Sequence, residues 1–404
     1  MVVRVSKPKF NLREKISELD KPTGRKGLDL MRSETSQDAR DFISAGRKNK
    51  LFNGDMKINQ RGSSFTSVGS SANTFTLDRW KFYIQNSTAR FTVSKDSDSP
   101  DEFGGSMKIE CTTTDTSLAS TDEVYLEQRL EGQDVQDFAK GTRSAKEYTL
   151  SFYVKTNKVG TYIVNLLGRD NTTSTVSASY TVNDTNWNRY TVTFPADASS
   201  SRKDNNDNGE ALRVLWWFVA GSAVNSPSTA PLATTWRNST DTGRAAGQIN
   251  FADSTSNEFF LTGCQLEVGR NVTEFEHRSY GEELRLCQRY YTKSYNHDVA
   301  PGTNTMVGTR WGRNYDPTDS RSANVVAVFF PVTMRATPDM TFRGVHTGDT
   351  GKWTTGSNNP DASNTDMSVN SLYDLSDKGF STMSSANISA SNFFGGHYEA
   401  NAEF

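Results

Sequence analysis

Short stretches of alternating apolar and polar residues run from about residue 51 to residue 278. In residues 148–155, the alternation would place Leu150, Phe152 and Val154 on one face and polar side chains on the other. Successive side chains of a β-strand point to opposite faces, so this period of two predicts strands with one buried face. The same pattern predicts further strands at 78–84, 106–111, 160–167, 187–194 and 212–219.

Two similar stretches bracket this region, at residues 51–62 and 259–269. We interpret them as the first and last strands of one β-sandwich that encloses the strands between them. Segments rich in turn-forming residues, such as 199–209, are expected to project as loops from the ends of the sandwich.

The first 48 residues have a helical period instead. Leu12, Ile16 and Leu19 recur at i, i+4 and i+7 and would form one apolar stripe, and Phe42 and Ile43 would share a face of a later short helix. Helices of this length are marginal in water without a partner surface. The pattern therefore predicts a helical arm that orders either against another protein or against its own sandwich.

After residue 280, the pattern indicates a second, smaller β domain. Residues 284–291 are expected to cross between the domains as a short helix or strand, and 324–330 form a strongly apolar strand. The predicted fold class is mainly β, with an N-terminal helical arm (1–48), a jelly-roll β-sandwich (49–280) and a C-terminal β domain (281–404). The strand order and aromatic spacing of the sandwich resemble those of jelly-roll carbohydrate-binding modules.

Composition narrows the classes of function. The chain has 45 basic and 47 acidic residues, so it lacks the global positive charge that would favour nucleic acid as a partner. No apolar run follows the first basic residues, and none reaches the length of a membrane span, so we expect neither a signal peptide nor membrane insertion. Cys111, Cys264 and Cys287 are widely spaced and are expected to be reduced, buried thiols.

Catalytic and metal-binding signatures are missing from the sequence. It has no G-x-S-x-G, H-E-x-x-H or G-x-G-x-x-G motif, and its four histidines do not have metal-ligand spacing. Residues 204–209 match only half of a calcium loop, and Asp55 is a second weak candidate for a calcium ligand. We expect no catalytic residues, no metal site and no cofactor, and predict that the protein is not an enzyme.

Sugar binding requires an aromatic face together with a few polar side chains. In the 212–219 strand, Arg213 and Trp217 would share the face opposite the core, with Tyr153 and Lys155 supplementing them from another strand. The predicted ligand-binding residues are thus Tyr153, Lys155, Arg213 and Trp217. In the alternative that we favour, a loop or subunit covers Trp217, because Leu215 and Val219 make that face apolar.

Residues 275–291 resemble a signature that recurs in bacteriophage tail-fibre and appendage proteins. Residues 1–15, 330–335 and 398–404 resemble other parts of the same proteins from marine phages. The resemblance implies a virion structural protein, released by lysis after synthesis in the host cytoplasm. It implies a homotrimer, docked through the arm residues Leu12, Ile16, Leu19, Phe42 and Ile43 to a tail adaptor, nozzle or capsid protein.

Three functions fit such a virion protein. The first is a tail fibre or appendage that binds a host surface glycan and contributes to attachment. The second is a structural connector, capsid decoration or head fibre that binds no receptor. The third, a glycan depolymerase, is disfavoured because the sequence shows no fixed-period repeat of the kind that builds a solenoid.

Overall fold

The computed structural model describes residues 48–69, 73–238, 242–313, 326–357, 365–368, 371–383 and 392–404. The chain divides into two compact units, one of which contains residues 49–272 and 277–404. Of the other unit, Lys48 and residues 273–276 are described. The predicted helical arm, with Leu12, Ile16, Leu19, Phe42 and Ile43, lies outside the described residues.

The first part of the large unit is built from strands. They are β1 (Ser64–Val68), β2 (Thr74–Phe75), β3 (Lys81–Gln85), β4 (Arg90–Asp96), β5 (Ser106–Thr113), β6 (Glu123–Glu131), β7 (Tyr148–Thr156), β8 (Gly160–Gly168), β9 (Ser174–Val182), β10 (Asn188–Phe194), β11 (Glu210–Ala220), β12 (Arg237–Asn238) and β13 (Glu258–Val268). A short helix, α1 (Gly132–Val135), and three 3-10 turns, Gln136–Phe138, Ser200–Arg202 and Phe251–Asp253, connect some of them.

These strands form two antiparallel sheets. The first has the order β1-β4-β5-β13-β7-β10, and the second has the order β12-β9-β8-β11-β6-β3-β2. The chain passes repeatedly from one sheet to the other, as it does in jelly rolls. The predicted β-sandwich is therefore confirmed.

The inward faces of the two sheets enclose the main core. Leu150, Phe152 and Val154 of β7 are fully buried there, as the alternation predicted. The ring of Phe152 meets the ring of Trp216 on β11 edge-on, with 5.6 Å between centroids. Val219 was predicted to face outward, but it packs in the core because the register of β11 against β6 shifts between Trp217 and Val219.

Residues 51–62 do not form the predicted first strand. Asn53 and Met56 have φ angles of 52° and 56°, which break the extended backbone into turns. The segment nevertheless borders β13, because the amide of Lys50 donates to the carbonyl of Leu266 and the amide of Cys264 donates to the carbonyl of Gly54. It takes the side of β13 that β5 leaves open, since β5 pairs only with residues 258–261.

Among the described residues, a helix and nine strands complete the unit. They are α2 (Tyr280–Gln288), β14 (Tyr291–Lys293), β15 (Arg310–Arg313), β16 (Val326–Phe329), β17 (Asp339–Arg343), β18 (Lys352–Ser357), β19 (Thr365–Ser368), β20 (Ser371–Ser376), β21 (Gly379–Met383) and β22 (Asn392–Asn401). One sheet has the order β14-β22-β18-β19, and β15 and β17 also pair with β22. A three-stranded sheet has the order β16-β21-β20.

The C-terminal strands have their own aromatic core. The indole of Trp353 lies 5.2 Å from the ring of Phe342 and 5.3 Å from the ring of Phe394, measured between centroids. This confirms that the residues after 280 are mainly β. The predicted crossing segment is helical, and Ser279 caps α2 by accepting a hydrogen bond from the amide of Glu282.

Buried ion pairs connect these strands to the sandwich. Glu131, at the end of β6, accepts hydrogen bonds from the guanidinium of Arg289 and the hydroxyl of Tyr290. Glu403 forms ion pairs with Arg61 and Arg79. Residues from the C-terminal segment thus supply partners for charges that the sandwich buries.

The three cysteines are free thiols and are buried, as predicted. Neither α-helix in the described part of the chain has the length and apolar character needed to cross a membrane.

Candidate functional site

The four predicted ligand-binding residues lie on opposite sides of the sandwich. Arg213 and Trp217 belong to β11 in the second sheet, whereas Tyr153 and Lys155 belong to β7 in the first sheet. Each pair faces away from the shared core. The structure therefore does not bring the four residues into one site, and the prediction of a single site is wrong.

The indole of Trp217 is covered. It is 1% exposed and packs in a cluster with Ile163, Leu215, Val224 and Ala245. Val224 and Ala245 belong to the connection between β11 and β13, so a loop of the same chain covers this face, as the favoured alternative predicted. Trp217 cannot offer an open ring to a ligand.

The guanidinium of Arg213 is held by carboxylates. It forms ion pairs with Glu127 and Glu210, and Arg129 forms ion pairs with the same two residues. Glu127 is fully buried. Because its guanidinium is paired with two carboxylates, Arg213 is not free for a ligand.

Tyr153 is partly covered by a neighbouring loop. Its ring lies 5.3 Å from the ring of Phe103, and the guanidinium of Arg189 lies 5.8 Å from its centroid. Gly263 of β13, with φ +62°, makes room for this packing, because a Cβ there would lie 2.7 Å from Phe103 and 2.8 Å from Tyr153. Tyr153 is half-buried.

Lys155 lies in the accessible part of the outer face of the first sheet. Its ammonium lies 5.5 Å from the ring centroid of Phe260, and that of Lys108 lies 5.4 Å from the same centroid. The indole of Trp187 meets Phe260 edge-on at 6.2 Å. Strand pairing explains this arrangement, because Lys108 and Lys155 are the partners of Phe260 on β5 and β7.

Asp98 holds the cluster together. One carboxylate oxygen accepts a hydrogen bond of 2.8 Å from the indole N–H of Trp187, and the other accepts one of 2.6 Å from the ammonium of Lys155. The hydrogen bonds from Lys155 and Trp187 lower the pKa of Asp98, so its carboxylate is charged at neutral pH. We call Asp98, Lys108, Lys155, Trp187 and Phe260 the Trp187 patch.

The patch combines an accessible aromatic ring with charged hydrogen-bonding groups. Phe260 is 7% exposed and acts as the floor, whereas Trp187, Lys155 and Asp98 are partly exposed above it. The ring of Trp187 is fixed because its N–H is bonded to Asp98. A pyranose can stack on such a ring while the ammonium and carboxylate groups reach its hydroxyls.

Only part of this patch was identified from the sequence. Lys155 was among the predicted residues, whereas Trp187, Phe260, Lys108 and Asp98 were not. Phe260 carried a signal that could have been used, since it alternates with the core residues Phe259 and Leu261. Asp98 lies in a loop and meets Trp187 across 89 positions of sequence, which no local pattern reports.

The weak calcium candidates have protein partners. Asp204 accepts a hydrogen bond of 2.9 Å from the ammonium of Lys140, and Asp55 lies 2.7 Å from the ammonium of Lys57. Across the part of the chain that is described, no three His, Cys, Asp or Glu residues are grouped so that they could hold a metal ion.

The chain matches no protein-family model and none of the curated proteins. It is similar to several solved structures. With the enzymatically active domain of tailspike protein 4 of bacteriophage CBA120, it shares 10% identity and a TM-score of 0.28 over 55% of this chain. The match spans only 21% of that tailspike chain.

Two carbohydrate-binding structures are also similar. The family 11 carbohydrate-binding module of a cellulosomal cellulase of Clostridium thermocellum has 12% identity and a TM-score of 0.26, over 53% of this chain and 96% of that module. A xylan-binding domain from Paenibacillus barcinonensis has 11% identity and a TM-score of 0.24, over 52% of this chain and 99% of that domain. Likenesses of this level do not establish a shared function.

Proposed function

We propose that this chain is a structural protein of a phage virion, a tail fibre or tail appendage that contributes to host attachment by binding a surface glycan. The Trp187 patch carries the glycan-binding part of the proposal. The phage part rests on the sequence signature at residues 275–291 and the related segments at both ends of the chain.

The patch would bind a sugar without changing it. A pyranose ring stacks on the accessible face of Trp187, and Lys155 and Asp98 bind hydroxyl groups at its edge. Because Asp98 already fixes both Trp187 and Lys155, the site loses little side-chain entropy on binding. The protein would therefore be a non-catalytic adhesin, which agrees with the lack of catalytic motifs in the sequence.

Further parts of the proposal concern the assembled particle. The protein is made in the host cytoplasm, becomes part of the virion and assembles as a homotrimer. The segment containing Leu12, Ile16, Leu19, Phe42 and Ile43 docks it to a tail adaptor, nozzle or capsid protein. Cross-linking of intact particles would identify the neighbour of this segment, and sedimentation of the purified chain would give its oligomeric state.

An array of neutral bacterial surface polysaccharides tests the glycan-binding part. The purified full-length chain should bind a subset of the array, and Trp187→Ala should abolish that binding. Tyr373→Ala is the matched control, because Tyr373 is an exposed aromatic residue on β20, remote from the patch in the fold. A chain that binds no polysaccharide, or a Trp187→Ala variant that binds as well as the wild type, would favour the structural connector instead.

A further inference from the structure

An open cleft, separate from the Trp187 patch, lies among the C-terminal elements. Its volume is about 580 Å³, and its walls come from α2, β14, the following residues 294–298, β15, β16 and β22. This volume is within the range of pockets that bind small molecules. The cleft shares no residue with the Trp187 patch, so what binds in it is a separate question from the proposed function.

Two exposed aromatic rings stand at this cleft. Tyr280, the first residue of α2, is 51% exposed, and Phe329, the last residue of β16, is 84% exposed. Single exposed rings are common on protein surfaces, but two rings lining one cleft form an apolar pair that a ligand can contact. Flat rings of this kind bind the apolar faces of sugars or other rings.

The floor between the rings is polar. Thr292 of β14 is 1% exposed, and its hydroxyl forms no hydrogen bond with any described residue. A buried hydroxyl without a partner is unfavourable, and a ligand that supplies a hydrogen-bond partner would remove that cost. Gln288, also buried, and the exposed Asn296 and His297 add further polar groups.

Arg310 supplies an available positive charge. It is exposed, its guanidinium donates only to the carbonyls of Gly308 and Thr309, and it forms no ion pair with any described residue. Lys293 also lines the cleft, but its ammonium is already bound by the carbonyls of Gln60, His297 and Val299. Burial lowers the pKa of Lys293 to about 8, so it remains largely charged at neutral pH.

The charges in the cleft favour an anion. Asp298 is the carboxylate among its lining residues, and it is exposed to solvent. Arg310 and Lys293 therefore outnumber it by one positive charge while His297 is neutral. The pKa of His297 is lowered, first by partial desolvation of its ring at the cleft wall and then by Lys293, which keeps the imidazole neutral at neutral pH.

We propose that this cleft binds a saccharide that carries a carboxylate, with the sugar ring against Tyr280 and Phe329 and the carboxylate on Arg310. The polar floor argues against an apolar peptide side chain, which would leave Thr292 without a partner. A guanidinium pairs with a carboxylate through two parallel hydrogen bonds, which gives the site its selectivity for acidic over neutral sugars.

Calorimetric titration of the full-length chain tests this assignment. The probes are trigalacturonate and, as the neutral comparison, maltotriose. We expect trigalacturonate to bind at least about tenfold more tightly than maltotriose, and its affinity to fall as salt is added. Equal binding of the two sugars, or no binding of trigalacturonate, would overturn the proposal.

Three variants assign the binding to the cleft. Arg310→Gln and Tyr280→Ala should each weaken trigalacturonate binding by about tenfold or more, whereas Trp187→Ala should leave it unchanged. Both cleft residues are exposed, so the unfolding midpoints should stay at the wild-type value. Binding that is lost in Trp187→Ala but kept in Arg310→Gln would place the sugar on the Trp187 patch and overturn the cleft assignment.

Discussion

The indole of Trp217 fills the space between β11 and the loop that follows it, whereas the indole of Trp187 lies partly in solvent with its N–H on Asp98. The two residues therefore make different contributions to the molecule. Trp217 contributes contacts to a packed cluster, and Trp187 contributes an accessible ring.

This difference predicts the effect of truncating each ring. Trp217→Ala should lower the free energy of unfolding by about 3–5 kcal/mol, because it removes a large side chain from a packed interior. Trp187→Ala should cost about 1 kcal/mol, mainly from its hydrogen bond and edge contacts. Urea unfolding of both variants measures these values. Equal decreases in the free energy of unfolding would contradict the burial of Trp217.

Asp134 predicts a dependence of stability on pH. Burial, and then the nearby Glu131, raise the pKa of Asp134 from 3.8 to about 6. The folded protein then binds a proton more tightly than the unfolded chain, so Asp134 makes the protein less stable as pH rises from about 4 to about 6. The penalty is fully present above that range.

Replacing this carboxylate removes the penalty. Asp134→Asn should raise the free energy of unfolding by about 3 kcal/mol near pH 8 and should match the wild type near pH 4. Urea unfolding of both proteins across this range is the measurement. A difference that stays constant with pH would mean that the pKa of Asp134 is not raised by folding.

At the scale of elements, the bulge in β13 controls how the first sheet is covered. Gly263 sits between Thr262 and Gln265, where the register against β7 shifts, and its lack of a Cβ allows Phe103 to approach Tyr153. A side chain here would meet both rings and would also strain the backbone.

Gly263→Ala should therefore lower the free energy of unfolding by about 1–3 kcal/mol. Gly104→Ala is the matched control, since a Cβ at Gly104 would meet nothing within 4 Å. Thermal unfolding of the two variants should show a lowered midpoint for Gly263→Ala alone. Equal midpoints would contradict the described packing of Phe103 on Tyr153.

The sequence predicts these elements only where side chains alternate regularly. The period of two is present in β5, β7, β8, β10 and β11. In β7 it also correctly predicts which residues face the core. Residues 51–62 show the same pattern but form turns, because the backbone is left-handed at Asn53 and Met56. The dipeptide Asn53-Gly54 is a turn signal in the sequence, whereas Met56 carries none. The bulge that turns Val219 inward is equally invisible in the sequence.

The candidate site was less predictable than the fold. Strand period correctly placed Arg213 beside Trp217 on the outer face of β11. It could not report that the loop containing Val224 and Ala245 folds back over Trp217, because such cover depends on contacts between distant segments. The Trp187 patch depends in the same way on the approach of a loop residue, Asp98, to a strand.

At the scale of the whole molecule, the C-terminal residues bind back into the sandwich. Arg79 is almost fully buried, pairs with Glu403 and lies with its guanidinium 3.3 Å from the ring centroid of Tyr290. The backbone carbonyls of Ala402 and Glu403 accept hydrogen bonds from Arg335. The end of the chain is thus part of the structure that holds the unit together.

Removing the carboxylate of Glu403 should destabilise the whole unit. Glu403→Ala leaves the buried Arg79 without its charge partner, which should cost about 3–5 kcal/mol. Tryptophan fluorescence and far-UV circular dichroism should shift together in urea. The control is Arg270→Ala, which breaks an exposed pair with Glu147 and should leave the unfolding midpoint unchanged. If the two signals of Glu403→Ala instead show separate transitions, the C-terminal sheets and the sandwich unfold independently, which would contradict the prediction.

The central claim is that the chain binds a cell-surface glycan through the Trp187 patch. Saturation binding of fluorescently labelled full-length protein to a panel of bacterial strains with neutral surface polysaccharides tests it most directly. The account predicts saturable binding to at least one strain, lost in Trp187→Ala and retained in Tyr373→Ala. Saturable binding that survives Trp187→Ala unchanged, or no saturable binding to any strain of the panel, would contradict it.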